Sequence, residues 1–232
     1  MYSENIISGC EACSRCWTNF KNLSREELEI VNQNRYEASF NPSEIIIKQG
    51  SPSSNAIFLI SGLAKVYMEG YAGRNLIINL AEHSTLLAGP GVHVNSRYVY
   101  SVAAITHVKA CFISFEVIRK IISGNPGFAV GFIEDLSDKA FRMHHKVLNL
   151  TQKKMHGRLA EALLYFADSI FSILHDYEMV LTRQELGEMT NMAKESVVRI
   201  MGELEHENII LSTPRKIKIL DREKLQVISE KG

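Results

Sequence analysis

Several features that would place this 232-residue chain in a specialised class are absent from it. No apolar run approaches the roughly 18 residues that a membrane-spanning helix needs, and the first residues lack the charged-then-apolar pattern of a secretion signal. Lys and Arg together number 26, as do Asp and Glu, so the net charge is zero and bulk charge does not indicate nucleic acid. We therefore expect a globular, cytoplasmic protein with no membrane partner, in which any DNA-facing charge is local.

Cysteine is scarce, and three of its four copies are close together. They form a C-x-x-C-x-x-C run, Cys10, Cys13 and Cys16, and the fourth is Cys111. A spacing of two residues suits zinc or an iron–sulfur cluster, because neighbouring thiolates can converge on one centre. The alternative is a set of reduced thiols packed near Trp17 and Phe20.

The chain also lacks the ligand patterns of a metalloenzyme. His83, His93 and His107 lie in its β-rich part and leave haem or metal ligation open, since neutral imidazole is a common ligand. No H-x-H pair or nearby carboxylate accompanies them, as a cupin-like site would require. Lone histidines of this kind are more often surface or hydrogen-bonded core residues, and we expect no enzymatic activity.

Residues 182–210 have the pattern of a helix-turn-helix. Thr182 and Glu185 form a capping box that starts a first helix, and Asn191, which tolerates a left-handed conformation, follows it at a turn. In the second helix the core positions recur at i, i+4 and i+7, namely Val197, Met201 and Leu204. The outward face then holds Lys194, Glu195, Val198, Arg199 and Gly202.

The outward face of this second helix has long charged side chains of the kind that can reach base edges in a major groove. Arg or Lys donates to guanine and Glu accepts from the cytosine amino group. Charged outward faces are also ordinary on solvated helices, so the pattern alone leaves both interpretations open.

Two other stretches define the rest of the architecture. Between residues 40 and 113 glycines separate short β-rich runs, which is typical of a sandwich or barrel. The runs are 44–48, 56–61, 63–68, 76–80, 102–105 and 108–113.

After Pro126 the period becomes helical, with apolar residues stepping by three and four. They predict a narrow dimerisation seam formed by Ile133, Leu136, Ala140, Met143, Val147 and Leu150. The alternative is that this helix packs on the β-rich part of the same chain and not on a second copy.

The strings T-R-Q-E-L-G, K-E-S-V-x-R and L-E-x-x-x-I-I closely resemble the helix-turn-helix of the CRP/FNR family of transcription regulators. The resemblance implies that Lys194, Glu195 and Arg199 read bases. It also implies that the first-helix residues Thr182, Arg183 and Gln184 lie near phosphates. Two short predicted strands at 209–211 and 217–220 make a wing whose basic tip, with Lys216, can also meet phosphates. Ala193 stands where the family commonly has a Ser cap, and Lys194 where it commonly has Arg.

The resemblance extends to the β-rich part, which is similar to the β-roll of cyclic-nucleotide-binding domains. Nucleotide-binding members present a Gly-Glu pair and an Arg-Ser pair, whereas here Gly89 is followed by Pro90, and Tyr98 and Val99 occupy the second pair. This departure argues against cyclic AMP and leaves the cofactor unknown. Iron–sulfur members complete an N-terminal cysteine cluster with one distant cysteine, which would be Cys111 here. Haem-containing members keep a haem open.

The predicted fold class is α+β with three parts. Residues 1–125 form an N-terminal segment and an effector-sensing β-roll, 126–150 a long central dimerisation helix, and 151–232 a winged helix-turn-helix. The predicted function is a homodimeric, DNA-binding transcription regulator, for which RNA polymerase is a further expected partner. One alternative is a redox or gas sensor that uses an iron–sulfur cluster or haem. Another is a sensory adaptor whose winged helix contacts protein instead of DNA. Salt-dependent retardation of DNA would distinguish a DNA-binding regulator from such an adaptor.

Overall fold

A computed structural model describes residues 17–88, 96–170, 181–213 and 217–232. Ten strands lie within these ranges: β1 (Arg35–Phe40), β2 (Ile45–Ile47), β3 (Asn55–Ser61), β4 (Ala64–Glu69), β5 (Asn75–Ala81), β6 (Leu86–Ala88), β7 (Ser101–Ala104), β8 (Val108–Ser114), β9 (Ile210–Ser212) and β10 (Ile217–Ile219). The α-helices are α1 (Arg25–Gln33), α2 (Phe115–Gly124), α3 (Pro126–Gln152), α4 (Met155–Tyr165), α5 (Arg183–Thr190), α6 (Lys194–His206) and α7 (Arg222–Lys231).

The first eight strands form two four-stranded sheets. One has the order β1-β8-β3-β6 and the other β2-β7-β4-β5. β8 pairs antiparallel with both β1 and β3, with Cys111 opposite Glu37 on one side and Phe58 on the other. Gly62 makes the turn after β3: its φ is +90°, and a Cβ there would lie 2.2 Å from the carbonyl oxygen of His107, so a larger residue cannot be accommodated. The β-roll expected from the sequence is confirmed.

An aromatic core fastens the start of α3 to the β-roll. Trp17 lies 5.5 Å from Phe58 and 5.7 Å from Phe128, measured between ring centroids. The side-chain oxygen of Asn125 accepts from the backbone N–H of Phe128 at 2.9 Å and so caps α3. Pro126 is the first residue of α3, which agrees with the change to a helical period that the sequence shows there. The edge-to-face pair of Trp17 with Phe128 and the tilted pair of Trp17 with Phe58 stabilise this core beyond the burial of apolar area alone.

The chain divides into two compact units. One comprises residues 1–66 and 80–140, and the other comprises residues 67–79 and 141–232. The second contains α4 to α7 together with the small β10-β9 hairpin, whose strands pair antiparallel. Among the residues described, no helix combines the length and apolar character that crossing a membrane requires.

Three elements of the β-roll unit were not predicted from the sequence. β1 has an irregular polar and apolar order, β6 is only three residues long, and α2 follows β8 without an intervening turn. α2 is capped by Ser114, whose hydroxyl accepts from the backbone N–H of Glu116 at 3.3 Å. The helix α3 also runs two residues beyond its predicted end at residue 150, so the break before α4 falls at Lys153 and Lys154.

Candidate nucleic-acid interface

The first helix of the motif, α5, begins at the predicted capping box. The Thr182 hydroxyl accepts from the backbone N–H of Glu185 at 3.2 Å, and the Glu185 carboxylate accepts from the backbone N–H of Thr182 at 2.9 Å. α5 ends at Asn191, which has φ 52° and ψ 53°. Both ends of the helix are therefore determined by local sequence.

The turn between α5 and α6 depends on Gly187. A Cβ at this position would lie 2.6 Å from the carbonyl oxygen of Met192, and the backbone N–H of Met192 donates to the carbonyl of Gly187 at 2.9 Å. A side chain would push the two segments apart and break this hydrogen bond. Gly187 therefore sets the close approach of the two helices.

The second helix, α6, has the two faces that its periodicity predicts. Val197, Ile200, Met201 and Leu204 are buried. Lys194, Glu195, Val198, Arg199 and Gly202 are exposed. No atom lies within 4 Å of a Cβ built on Gly202, so this face leaves room for a close partner. Ala193 supplies no side-chain cap, as the sequence indicates.

The residues expected near phosphates differ in whether their side chains are exposed or already hydrogen-bonded within the protein. Gln184 is exposed, but the polar atoms of Thr182 are used in the cap of α5. Arg183 donates from Nη2 to the Ser212 hydroxyl at 3.2 Å and to the Thr213 carbonyl at 3.3 Å, and burial lowers the pKa of its guanidinium. Arg183 thus joins α5 to the wing formed by β9 and β10. Lys216, predicted at the tip of the wing, lies outside the described residues.

A partly buried lysine connects the long helix α3 to the motif. Lys146 donates from Nζ to the carbonyl oxygen of Met189 at 2.6 Å, near the carboxyl end of α5. Burial lowers the pKa of Lys146 to about 8, and attraction by Glu161 offsets part of the shift. A cation is favoured at the carboxyl end of a helix, where unpaired carbonyls carry partial negative charge.

Two residues that the sequence did not single out form a chain of contacts to Arg199: Glu203 of the recognition helix itself and His156 of α4. Glu203 accepts from Nη1 of Arg199 at 2.5 Å, and its other oxygen lies 2.7 Å from Nε2 of His156 on α4. The i,i+4 spacing of Arg199 and Glu203 is a sequence signal for the first contact. The second joins positions 47 residues apart and has no local signal.

The residues of the predicted seam lie on one side of α3. Ile133 is 61% exposed, Val147 53% and Met143 39%, and Ala140 is also exposed. Leu136 and Leu150 are partly buried. Three further apolar side chains next to the seam are also exposed, Val130, Phe141 and Leu148. The described chain therefore presents an apolar surface along α3.

Polar groups surround the short strand β6 in the β-roll. Tyr100 donates its hydroxyl to the carbonyl of Leu87 at 2.5 Å, and Lys139 donates from Nζ to the carbonyl of Leu86 at 3.0 Å and to Asp135 at 2.6 Å. Burial raises the pKa of Tyr100 to about 12. The stretch 89–95, which contains the Gly89-Pro90 pair, lies outside the described residues. Arg97 donates from Nη1 to the carbonyl of Gly50 at 2.6 Å.

The candidate metal ligands are partly described. Cys111 is buried in the same apolar cluster as Trp17, whereas Cys10, Cys13 and Cys16 lie outside the described residues. His83 and His107 are exposed, and His93 lies outside the described residues. Within the described ranges, no three His, Cys, Asp or Glu side chains are grouped so as to hold a metal ion.

A two-sheet β-roll, a long helix and a winged helix-turn-helix with an exposed recognition face define a class of protein, the DNA-binding regulators that carry an effector-binding domain. The chain matches the cyclic nucleotide-binding domain over residues 37–125 and the Crp-like helix-turn-helix domain over residues 157–228. The chain belongs to the CRP/FNR family of transcription regulators. It binds DNA through its helix-turn-helix, and the family consists of regulators rather than enzymes.

Several proteins are similar to this chain in sequence or in fold. The cAMP-activated global transcriptional regulator CRP of Salmonella typhimurium is 24% identical over 177 residues, which cover 75% of this chain and 84% of that protein. A crystal structure of a CRP/FNR-family regulator from Eubacterium rectale has a TM-score of 0.78 at 16% identity, covering 92% of this chain and 98% of that one. The c-di-GMP responsive global regulator CLP of Xanthomonas campestris has a TM-score of 0.73 at 15% identity, covering 84% and 99%.

Proposed function

We propose that this protein is a cytoplasmic homodimer that binds a two-fold symmetric DNA operator and regulates transcription together with RNA polymerase. The observation that carries the proposal is the recognition helix α6, which is held by a buried apolar face and leaves Lys194, Glu195 and Arg199 exposed near one another along its outer side. The amino-terminal part of such a helix enters the major groove. Lys194 and Arg199 then donate to base edges and Glu195 accepts from them.

Backbone contacts complete the proposed interface. Gln184 is exposed at the start of α5, and Lys216 would approach phosphates from the wing. Thr182 and Arg183 directly precede Gln184 in the chain, and their internal hydrogen bonds stabilise the start of α5 and its contact with Ser212 of the wing. Contacts to phosphate position a protein on the duplex, whereas contacts to base edges give sequence preference.

The second copy in this proposal packs along α3. Ile133, Leu136, Ala140, Met143, Val147 and Leu150 alternate by three and four residues, which is the spacing of a two-stranded helical interface. Two recognition helices joined in this way can read two half-sites, provided that their separation matches about one turn of DNA. Dimerisation is typical of the family, which supports this arrangement.

The division of roles on the motif predicts two different losses. Arg199→Ala is expected to reduce preference for the selected operator over a scrambled duplex by about 10-fold or more, because a base contact is lost. Lys216→Ala is expected to weaken both duplexes by the same factor and to reduce the slope of log affinity against log salt by about one. Fluorescence anisotropy at several salt concentrations measures both. If Arg199→Ala keeps the parent's preference, the assignment of the reading face is wrong.

The effector acts on the β-roll in this proposal. Relatives of the same fold are cAMP-activated in one case and c-di-GMP responsive in another, so the fold does not specify the ligand. Lys139 of α3 contacts the carbonyl of Leu86 on β6, and so links the β-roll to the helix on which the dimer forms. An effector that changes this packing would change the spacing of the two recognition helices.

An iron–sulfur cluster is a specific candidate effector. Cys16 directly precedes Trp17, and Trp17 packs in the cluster of side chains that contains Cys111. A four-thiolate set of Cys10, Cys13, Cys16 and Cys111 is compatible with this arrangement, because the chain passes directly from Cys16 into the apolar cluster that contains Cys111. Such a cluster would supply redox or gas sensitivity, and the burial of Cys111 would exclude water from that ligand.

Absorption spectroscopy with iron, sulfide and haem-iron assays tests this candidate on protein purified without oxygen. A broad violet-to-blue band with labile sulfide, lost in Cys111→Ser, is the expected result for a cluster. A sharp haem band would move the search to the histidines. A colourless, iron-free protein would contradict both and leave an organic ligand.

A further inference from the structure

We infer that Glu203 is a positioning residue for sequence recognition, held by His156 so that it fixes the guanidinium of Arg199 in the orientation that reads guanine. The inference rests on the proposed function of Arg199 as a base-reading residue. It adds two residues, one on the recognition helix and one on α4, that determine specificity without contacting a base.

The geometry joins three side chains through one carboxylate. Oε1 of Glu203 accepts from Nη1 of Arg199 at 2.5 Å, and Oε2 lies 2.7 Å from Nε2 of His156. Each carboxylate oxygen therefore has its own partner, and the two partners lie on different helices. The hydrogen bond from His156 is the largest cause that lowers the pKa of Glu203, with that from Arg199 next among the lowering causes, so the carboxylate stays ionised at neutral pH.

A lone i,i+4 ion pair on an exposed helix is weak, because both long side chains lose rotamer freedom to form it. Here the Glu203 carboxylate is already hydrogen-bonded to His156 of α4. Much of the rotamer freedom of Glu203 is therefore lost when the protein folds, before Glu203 pairs with Arg199. Arg199 then gains a fixed partner and is partly ordered before DNA arrives. Ordering a side chain in its bound conformation removes part of the cost of association.

The pair leaves the rest of the guanidinium for a base. Only Nη1 of Arg199 contacts Glu203, and the side chain of Arg199 is 53% exposed. Guanine recognition needs two parallel N–H donors aimed at O6 and N7, so the orientation of the guanidinium plane decides how well guanine is distinguished. The neighbouring Gly202 adds no side chain that would block the groove.

The negative charge of Glu203 gives a second, opposite effect. Glu203 is one turn along α6 from Arg199, and a carboxylate this close to bound DNA repels phosphates and lowers binding to any sequence. Removing it should therefore strengthen non-specific binding while it weakens discrimination. A variant that was merely misfolded would lose both, so the opposite signs identify a positioning role.

The test uses duplexes selected by the parent protein from a random library, with the guanine that depends on Arg199 identified by base substitution. Glu203→Ala is expected to reduce discrimination against the substituted duplex by about 5-fold to 10-fold. It should bind a scrambled duplex as well as the parent or better. In an Arg199→Ala background the same change should have no further effect on discrimination, because coupled residues do not act additively.

His156 is tested by removal and by conservative replacement. His156→Ala is expected to reduce discrimination in the same direction as Glu203→Ala. His156→Gln should restore it, since the glutamine amide nitrogen can donate from about the position of Nε2. Glu207→Ala is the matched control: it removes one acidic side chain just beyond α6, where Glu207 pairs with Lys224 at 3.0 Å and touches neither Arg199 nor His156.

The outcomes separate the two claims. If the parent selects no operator, or Arg199→Ala keeps the guanine preference, the proposed function of the recognition face fails. If Arg199→Ala loses the preference and Glu203→Ala keeps it, the inference about Glu203 alone is overturned. A loss in Glu207→Ala equal to that in Glu203→Ala would also overturn it, because the effect would then be one of overall charge.

Discussion

Val147→Asp is expected to convert the proposed dimer into a monomer and to lower affinity for a two-half-site operator by on the order of 1000-fold. Val147 lies in the seam of α3 and is 53% exposed in the single chain. In a two-fold pair the change enters twice, so two carboxylates would be placed in an apolar contact without partners. A monomer holds one half-site only, and the gain from engaging both is lost.

Sedimentation velocity measures the first effect and fluorescence anisotropy with a selected duplex the second. Arg142→Asp is the matched control, since Arg142 is also exposed and lies five residues earlier on α3, about 140° around the helix from Val147. The control should remain a dimer and keep most of its affinity. A dimeric Val147→Asp protein, or equal dissociation of both variants, would show that the seam is not the interface.

Raising the pH from 7 to 9.5 is expected to increase the free energy of unfolding of the parent by about 2 kcal/mol relative to Lys146→Met. Burial lowers the pKa of Lys146 to about 8 in the folded protein, whereas an unfolded chain gives lysine its ordinary value near 10.4. Between those values the unfolded chain holds a proton that the folded protein has released, so stability rises with pH. At pH 7 the buried amine is charged and its cost is present in full, whereas at pH 9.5 the folded protein holds it neutral.

Urea unfolding of both proteins at one protein concentration and at the two pH values gives this difference directly. Groups other than Lys146 titrate in both proteins and cancel. Lys194→Met removes an exposed lysine from the recognition helix and should leave the pH dependence of the parent unchanged. Parallel pH curves for the parent and Lys146→Met would mean that Lys146 keeps an ordinary pKa and is not buried at the end of α5.

The helix-turn-helix could be predicted because its signals are local. The capping box at Thr182, the left-handed Asn191 and the buried positions of α6 each depend on residues within one or two turns. The engagement of Arg183 with the wing depends instead on packing between α5 and a hairpin 29 residues away, and no periodicity indicates it. The contact of His156 with Glu203 is hidden for the same reason.

The β-roll was predicted less completely than the motif. Glycine turns and β-branched runs located most strands, but β1 reads R-Y-E-A-S-F and lacks a clear alternation, because much of it is exposed while its pairing with β8 holds it in place. The helix α2 follows directly on β8, so no turn residue separates the two periods. The role of Lys139 at β6 likewise depends on packing of distant segments.

Selection of binding sites from a random duplex library, followed by footprinting, tests most directly that this chain is a dimeric reader of DNA sequence. We expect enrichment of an inverted repeat whose half-site centres lie about one helical turn, roughly 10 base pairs, apart. Footprinting should then show that both half-sites become protected at the same protein concentration. Failure to enrich any sequence, or enrichment of a single asymmetric site bound by one chain, would contradict the proposal that the protein reads DNA sequence as a dimer.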